Sequence, residues 1–302
     1  MSHELTVIAV VAVGAQLAVQ APINGGLGRT VGKLPAALIS FLVGLLALFL
    51  ICLAFGSLSD FSSIGDADKA TLFGGLIGAM YVATATVTIS RIGAGAVAAA
   101  TIAGQLTSSV VIDDFGWVGV DTIPVTGLRV FGAVLLLLGT VLIVYRKKYV
   151  DDVEGAGKAG IIAIGAMTLA GAGVGFQHPM NALLADHIGG LNSSLMNFMT
   201  GAVLLLLLVL ATRAIGQVRE ARKVRWFYLV GGLIGVVTVL SSLTAVETIG
   251  AAGLTSALVT GQLLSSIALD RSGAFGLEKR PITTVRVAGV VLLIAGTFLT
   301  VS

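Results

Sequence analysis

The sequence has little charge and few residues that could cross-link the chain or bind a metal. Only 11% of its 302 residues are charged, against about 25% in soluble domains, and it contains one cysteine and three histidines. So low a charge excludes an ordinary soluble domain. The single Cys52 excludes an intramolecular disulfide. The few histidines do not show the ligand spacing of a metal site, so we expect no metal.

Apolar runs dominate what remains. Apolar residues make up 56% of the chain, and runs of about 20 residues recur along it, enough for a helix to cross a hydrocarbon layer of about 30 Å. The runs are continuous rather than alternating, which favours helices over barrel strands. We therefore expect an all-α integral membrane protein with ten transmembrane helices. The predicted spans are residues 5–27, 34–55, 70–90, 93–112, 124–145, 159–182, 191–212, 226–247, 250–269 and 281–301.

The second half of the sequence repeats the first at an offset of 157 residues, without a gap. Chance similarity between apolar helices would match leucines and valines, whereas here prolines, amides and charges match in constant register. We predict two five-helix repeats, residues 1–145 and 159–302, joined by a charged linker at 146–158. Matched pairs include Gln20 with Gln177, Pro22 with Pro179, Asn24 with Asn181, Asp113 with Asp270, and Arg129 with Arg286.

Because five is an odd number, the second repeat should enter the membrane from the opposite side, so that the repeats are inverted. Short loops rich in lysine and arginine stay in the cytosol. If loops are counted alternately, fifteen of the 18 basic residues fall on one side and Lys69 alone on the other, while Arg129 and Arg286 lie within predicted helices. This bias predicts a cytosolic linker and both termini outside.

Inverted repeats are typical of secondary transporters, in which the two halves exchange conformations and so move the access path across the membrane. We therefore predict a transporter, with a passive channel or a lipid scramblase as the alternative. The sequence has neither a nucleophile elbow nor a phosphate-binding loop, so we expect no enzyme and no cofactor. The net charge of +3 follows from membrane topology. We expect a lipid bilayer as partner and no nucleic acid.

Polar side chains within the spans are the candidates for solute binding. Gln16, Gln20 and Asn24 recur every four residues on one face of span 1. Gln105 and Gln262 lie near mid-span, where an unpaired amide is costly, and are the first candidates for contacting solute. The alternative is that these amides join neighbouring helices. The complete set of candidate binding residues is Gln16, Gln20, Asn24, Tyr81, Gln105, Gln177, Asn181, Asn197 and Gln262.

Ionisable residues within the spans are few, and each is a functional candidate. His178 and Glu247 are candidates for ion coupling, with a proton or sodium as the coupling ion, although both could simply lie at the wet end of a span. No span carries a central aspartate or glutamate, which favours a neutral, zwitterionic or amphiphilic solute over a cation. Asp113 with Arg129, and Asp270 with Arg286, are expected to form two structural ion pairs.

The pattern of these residues resembles the YdcZ-like family of the drug/metabolite transporter superfamily. Its members have five spans and sometimes occur as fused pairs. The resemblance implies an exporter of a small organic metabolite or drug-like solute in a bacterial inner membrane, with a central cavity between inverted halves. A monomer and a homodimer are both compatible with it. The residues that carry the resemblance are Gln20, Pro22, Asn24, Gly32, Ser40, Phe41, Gly44, Gly104, Gln105, Leu106, Asp113, Phe115, Gly116, Trp117, Gly119, Arg129, Gly132 and Gly139.

Overall fold

Helices account for nearly all of the described chain. The computed structural model describes residues 2–144, 147–276, 279 and 281–301, and among these no strand occurs. Short 3₁₀ helices occupy several of the connections. The expectation of an all-helical protein is confirmed. The eight α-helices are α1 (His3–Val31), α2 (Lys33–Phe55), α3 (Gly74–Phe115), α4 (Gly127–Val144), α5 (Lys147–Ile188), α6 (Gly190–Ala211), α7 (Gly231–Ser272) and α8 (Thr284–Val301).

Each of these helices contains a segment long and apolar enough to cross a membrane. The shortest two, α4 and α8, have 18 residues and extend about 27 Å. Most of predicted spans 3 and 4 lies in α3, and most of spans 8 and 9 in α7, so eight helices stand where the sequence predicts ten spans. The expected linker is helical from Lys147 and breaks at Gly157, where φ is 53°. Arg146 lies outside the described residues.

The 42-residue α3 does not run straight. The side chain of Tyr81 interacts with that of Thr101, and Tyr81 and Ala85 pack in the same apolar cluster as Val97 and Ala100. Twenty residues of a straight helix would separate two side chains by about 30 Å. The segment that contains Tyr81 and the segment that contains Thr101 therefore lie side by side.

The equally long α7 is interrupted at Gly250, whose φ of 70° and ψ of 172° are not helical. Only glycine adopts this backbone conformation without strain. The break frees the backbone amides of the residues that follow, and those of Ala251 and Ala252 donate to the carboxylate of Asp113. One repeat thus provides the cap for a helical segment of the other.

Helices α4 and α8 pack against each other through glycines. A Cβ atom at Gly132 would lie 2.9 Å from the carbonyl oxygen of Gly296, and one at Gly139 would lie 2.7 Å from that of Gly289. The absence of side chains lets the two backbones approach closely. Since the earlier residue of α4 meets the later residue of α8, these helices run antiparallel.

Close approaches between the other helices are reciprocal between the two halves. Gly14 of α1 contacts Leu258 of α7, and its counterpart Gly171 of α5 contacts Thr101 of α3. Leu258 and Thr101 are themselves 157 residues apart. The bounds of α3 and α7, and those of α4 and α8, differ by the same offset. Helices α3 and α4 therefore recur in length as α7 and α8, and the close contact of α1 with α7 recurs between α5 and α3.

Large apolar side chains point away from the bundle, while small and polar ones fill much of its interior. Leu46, Phe131, Leu169 and Phe298 are all more than half exposed. In a membrane such side chains face lipid, and small interior residues allow close helix packing. The buried polar groups of the bundle are thus shielded from lipid.

Candidate functional site

Three amides form a buried cluster between α5 and α6, which we call the α5–α6 amide cluster: Gln177, Asn181 and Asn197. The Oδ1 atom of Asn197 accepts hydrogen bonds from Nε2 of Gln177 at 2.8 Å and from Nδ2 of Asn181 at 3.2 Å. All three residues are buried. One acceptor on α6 therefore holds two donors that lie one turn apart on α5.

Local sequence explains how α5 and α3 make room for these amides. Pro179 lies between Gln177 and Asn181 and cannot donate the usual helical hydrogen bond to the preceding turn. On α3, a Cβ atom at Gly78 would lie 3.1 Å from Nε2 of Gln177, and one at Gly74 would collide with Oδ1 of Asn181. The side chains of the cluster thus occupy space that glycines leave open.

The cluster also joins α5 to α6 through the backbone. The hydroxyl of Ser193 on α6 donates to the carbonyl oxygen of Asn181 at 2.5 Å. The Oδ1 atom of Asn181 has no hydrogen-bond partner among the described residues. Several hydrogen bonds therefore hold this end of α5 against α6, while the Oδ1 atom of Asn181 stays available as an acceptor.

In the first half, Gln20 and Asn24 are the counterparts of Gln177 and Asn181. Together with Gln16, one turn earlier on the same face of α1, they form what we call the α1–α7 amide cluster. Nε2 of Gln20 donates to the carbonyl oxygen of Gly231 at 2.9 Å. Nε2 of Gln16 and Oδ1 of Asn24 are buried without a partner among the described residues. The buried Ser40 stands where Asn197 stands in the second half. This cluster is therefore held by fewer hydrogen bonds.

The two mid-span glutamines lie apart from these clusters. Gln105 of α3 and Gln262 of α7 are both half-buried, and no hydrogen bond between their side chains is found within the described part of the chain. Between their helices, the hydroxyls of Ser109 and Thr255 lie 2.8 Å apart in the buried centre. The side chain of Tyr81 interacts with that of Thr101. Six of the nine candidate binding residues thus lie in the two amide clusters, and Tyr81, Gln105 and Gln262 lie outside them.

The candidates for ion coupling lie close to a small cavity near the end of α5. His178 follows Gln177 in sequence, and its Nδ1 atom is buried without a described partner. Glu247 of α7 lines the cavity, whose volume is about 90 Å³. Two further carboxylates, Asp121 and Asp186, line it as well. The complete lining is Val118, Gly119, Val120, Asp121, Pro179, Ala182, Leu183, Asp186, Val246 and Glu247.

The structure brings together both expected ion pairs but surrounds them differently. Nη2 of Arg129 lies 2.7 Å from Oδ2 of Asp113, and its other donors bond to the carbonyl oxygens of Ile123 and Thr300. Nη2 of Arg286 lies 2.6 Å from Oδ2 of Asp270, but its Nε and Nη1 atoms have no partner among the described residues. A buried guanidinium is stable only when its donors are paired. The first pair is thus the better satisfied.

A larger cavity of about 540 Å³, which we call the aromatic vestibule, lies near the start of α7. The sequence did not lead to this cavity, although Trp226, Phe227 and Tyr228 follow a basic run that ends at Arg225 and were a visible signal. Tyr228 reaches α1 and packs against Gly26, where a Cβ atom would collide with its ring. The vestibule therefore lies beside the α1–α7 amide cluster. It is lined by Ile23, Arg225, Trp226, Phe227, Tyr228, Val230 and Phe275.

Apolar helices of membrane-spanning length around buried amides define a multi-pass helical membrane protein. The family model described as "Putative inner membrane exporter, YdcZ" matches residues 5–142 and again residues 162–299. The chain therefore belongs to the YdcZ family and contains the family unit twice.

Two further proteins resemble the chain. Inner membrane protein YdcZ of Escherichia coli (strain K12) is 29% identical over 106 residues, which are 35% of this chain and 70% of that protein. A chain described as "Crystal structure of protein" matches with a TM-score of 0.69 at 15% identity, covering 99% of this chain and 96% of its own. At that identity, the likeness extends to the fold alone.

Proposed function

We propose that the chain is a secondary active transporter that exports a small organic solute by alternating access. In this proposal α3 and α7 each form two spans, which gives ten spans in two inverted halves, residues 1–145 and 159–302. The cytosolic linker at 146–158 joins them, and both termini lie outside. The folded-back α3, the break at Gly250 and the reciprocal glycine contacts support this arrangement. The description of the family as an exporter supports the direction of transport.

The observation that carries the mechanism is the unequal bonding of the two amide clusters. They occupy equivalent positions in the two halves, and inversion would place them at opposite ends of the solute path. Asn197 holds Gln177 and Asn181 together, whereas Gln20 makes a hydrogen bond to a backbone carbonyl. The larger cavity adjoins the less bonded cluster. These features favour a conformation that is closed outside and more open towards the cytosol.

Solute would bind between the two clusters. Gln105 and Gln262 have half-buried amides that can donate to and accept from a bound solute. His178 and Glu247 would adjoin the outer end of the path, where a proton or sodium could couple to transport. In a carrier, closing one cluster and opening the other must be linked events.

Cysteine accessibility tests this linkage without knowledge of the solute. In a Cys52→Ala background, Leu183→Cys reports on the small cavity and Val230→Cys on the aromatic vestibule. Adding Asn197→Ser replaces the shared amide acceptor with the shorter hydroxyl that Ser40 provides in the first half, which we expect to break both hydrogen bonds. We expect a membrane-impermeant thiol reagent to label Leu183→Cys at least threefold faster and Val230→Cys at least threefold more slowly.

The matched control is Ser40→Ala, at the equivalent position, for which the structure describes no side-chain hydrogen bond. We expect it to leave both labelling rates within twofold of the parent. A passive channel or a lipid scramblase has no linked gates, so equal changes at both reporters, or a change at one alone, would contradict the proposal. Once a solute is found, counterflow in proteoliposomes gives a second discrimination, because a carrier exchanges solute and a pore does not.

A further inference from the structure

The aromatic vestibule combines a large apolar surface with one cation, Arg225, among the described residues that line it. Its volume of about 540 Å³ falls within the roughly 300–1,000 Å³ of small-molecule sites. Apart from Arg225, its lining residues are aromatic or aliphatic. Phe227 and Tyr228 place their rings 4.3 Å apart, and Trp226 is 75% exposed. The cavity can therefore hold an apolar body.

Arg225 lies at this surface without a partner among the carboxylates of the described residues. Its guanidinium lies 4.8 Å from the centre of the Phe227 ring, a distance at which cation and ring attract. It forms no salt bridge with the described carboxylates. A guanidinium binds carboxylate, sulfonate and phosphate groups through paired donors. An anionic group bound beside Phe227 could therefore pair with the guanidinium of Arg225.

The small cavity at the other end of the bundle has the opposite character. Asp121, Asp186 and Glu247 line it, and no basic side chain does so among the described lining residues. At the position equivalent to Arg225, the first half of the chain has Asp68. The two ends of the bundle therefore differ in the charge they offer to a solute.

We propose that the exported solute is an amphiphilic monoanion that enters through the aromatic vestibule. Arg225 binds its anionic group, and Trp226, Phe227 and Tyr228 bind its apolar body. The three carboxylates at the other end repel the same anion, which favours its release and opposes its return. This inference rests on the proposed function, because it takes the vestibule as the cytosolic opening of the solute path.

Tryptophan fluorescence provides a direct binding assay, since the chain contains two tryptophans. Trp117→Phe retains a ring to stack on Phe115 and Phe176, and it leaves Trp226 as the one reporter. The protein is placed in phosphatidylcholine nanodiscs and titrated with decanoate, decanol and decyltrimethylammonium. We expect decanoate to change the emission of Trp226 saturably, with at least tenfold higher affinity than the alcohol or the cation.

Matched variants identify the counter-charge. Arg225→Gln should weaken decanoate binding at least tenfold and leave decanol unchanged, whereas Arg225→Lys should retain part of the preference. Arg222→Gln is the control, because this exposed neighbour does not line the vestibule. Each variant must keep the parent melting temperature. Equal affinity for the three amphiphiles, or an equal loss in the two glutamine variants, would overturn the proposal.

A further experiment tests whether a free solute or a membrane lipid occupies the vestibule. If an anionic headgroup occupies the vestibule, nanodiscs with phosphatidylglycerol should shift the emission of Trp226 and block decanoate, which would overturn the proposal. We expect neither effect. If decanoate binds through Arg225 but the reciprocal cysteine labelling fails, the carrier mechanism is wrong and the anion site stands. Reciprocal labelling without a preference for decanoate would leave a carrier of another solute.

Discussion

Asp113 of α3 lies against Gly250 of α7, at the point where that helix is interrupted. The carboxylate of Asp113 accepts hydrogen bonds from the amides of Ala251 at 2.7 Å and Ala252 at 3.1 Å, and it pairs with Arg129. A charged residue in one repeat thus stabilises a helix start in the other. Because the side chain of Asp113 is fully buried, each of these bonds is protected from water.

The two ion pairs should respond differently to neutralisation of their acid. Asp113→Asn leaves the buried Arg129 without its counter-charge, which costs about 3–5 kcal/mol for a buried pair. Asp270 is 20% exposed, whereas Asp113 is fully buried and also accepts hydrogen bonds from the amides of Ala251 and Ala252, so we expect a smaller loss from Asp270→Asn. Thermal unfolding in detergent measures both. Equal melting temperatures for the two variants would contradict the structural difference between the pairs.

A side chain at position 250 should destabilise the interruption of α7. In Gly250→Ala the backbone must keep a φ near 70°, and the new Cβ would lie 2.6 Å from Ile123 and 2.9 Å from Asp113. We expect a loss of about 1–3 kcal/mol from backbone strain, before any contact is counted. Thermal unfolding in the same detergent reports it.

Gly165→Ala is the matched control for this substitution. Gly165 lies within α5 with open space where its Cβ would be, so alanine should stabilise the helix by up to about 1 kcal/mol. If Gly250→Ala were as stable as Gly165→Ala, the interruption at Gly250 would not constrain the native state.

Removing the acceptor of the α5–α6 amide cluster should lower the stability of the protein as well as open this end of the solute path. Asn197→Ala leaves Nε2 of Gln177 and Nδ2 of Asn181 buried and unpaired, at about 1–3 kcal/mol for each unsatisfied group. The double variant Asn197→Ala with Gln177→Leu should regain part of the loss, because one orphaned donor is gone. A double variant no more stable than Asn197→Ala would mean that the hydrogen bond is not the source of the effect.

The proposed topology predicts which exposed residues share a compartment. In the Cys52→Ala background, Lys33→Cys and Arg219→Cys should react with an impermeant thiol reagent only from the cytosolic side, and Lys69→Cys only from outside. All three positions are exposed, so access through the protein does not limit labelling. If positions 33 and 219 faced opposite compartments, the inverted arrangement would be wrong.

Sequence reasoning was most informative where chemically distinctive residues repeat. The repeat at an offset of 157 residues was recognised from pairs such as Pro22 with Pro179. The same offset relates the bounds of α3 to those of α7. Apolar runs that are both long and continuous predicted an all-helical membrane protein, because the strands of a membrane barrel would alternate apolar and polar residues. Membership of the YdcZ family is likewise confirmed by the match to its model.

Contacts between distant parts of the chain could not be predicted in the same way. The ion pair of Asp113 with Arg129 is local, and its two residues recur in both halves, whereas the amides of Ala251 and Ala252 reach Asp113 only through the folded bundle. A continuous apolar run did not reveal that α3 would include both predicted spans 3 and 4. The aromatic vestibule was missed because Ile23, Tyr228 and Phe275 come from three separate segments.

The sharing of Asn197 Oδ1 by two donors has a kinetic consequence. A rotation of the Asn197 side chain would release the amides of Gln177 and Asn181 together, while the Ser193 hydrogen bond to the Asn181 carbonyl could stay in place. In the proposed carrier, the two amides would therefore open as one unit. A protein built in this way would spend little time in partly opened forms, which are the forms that would leak ions.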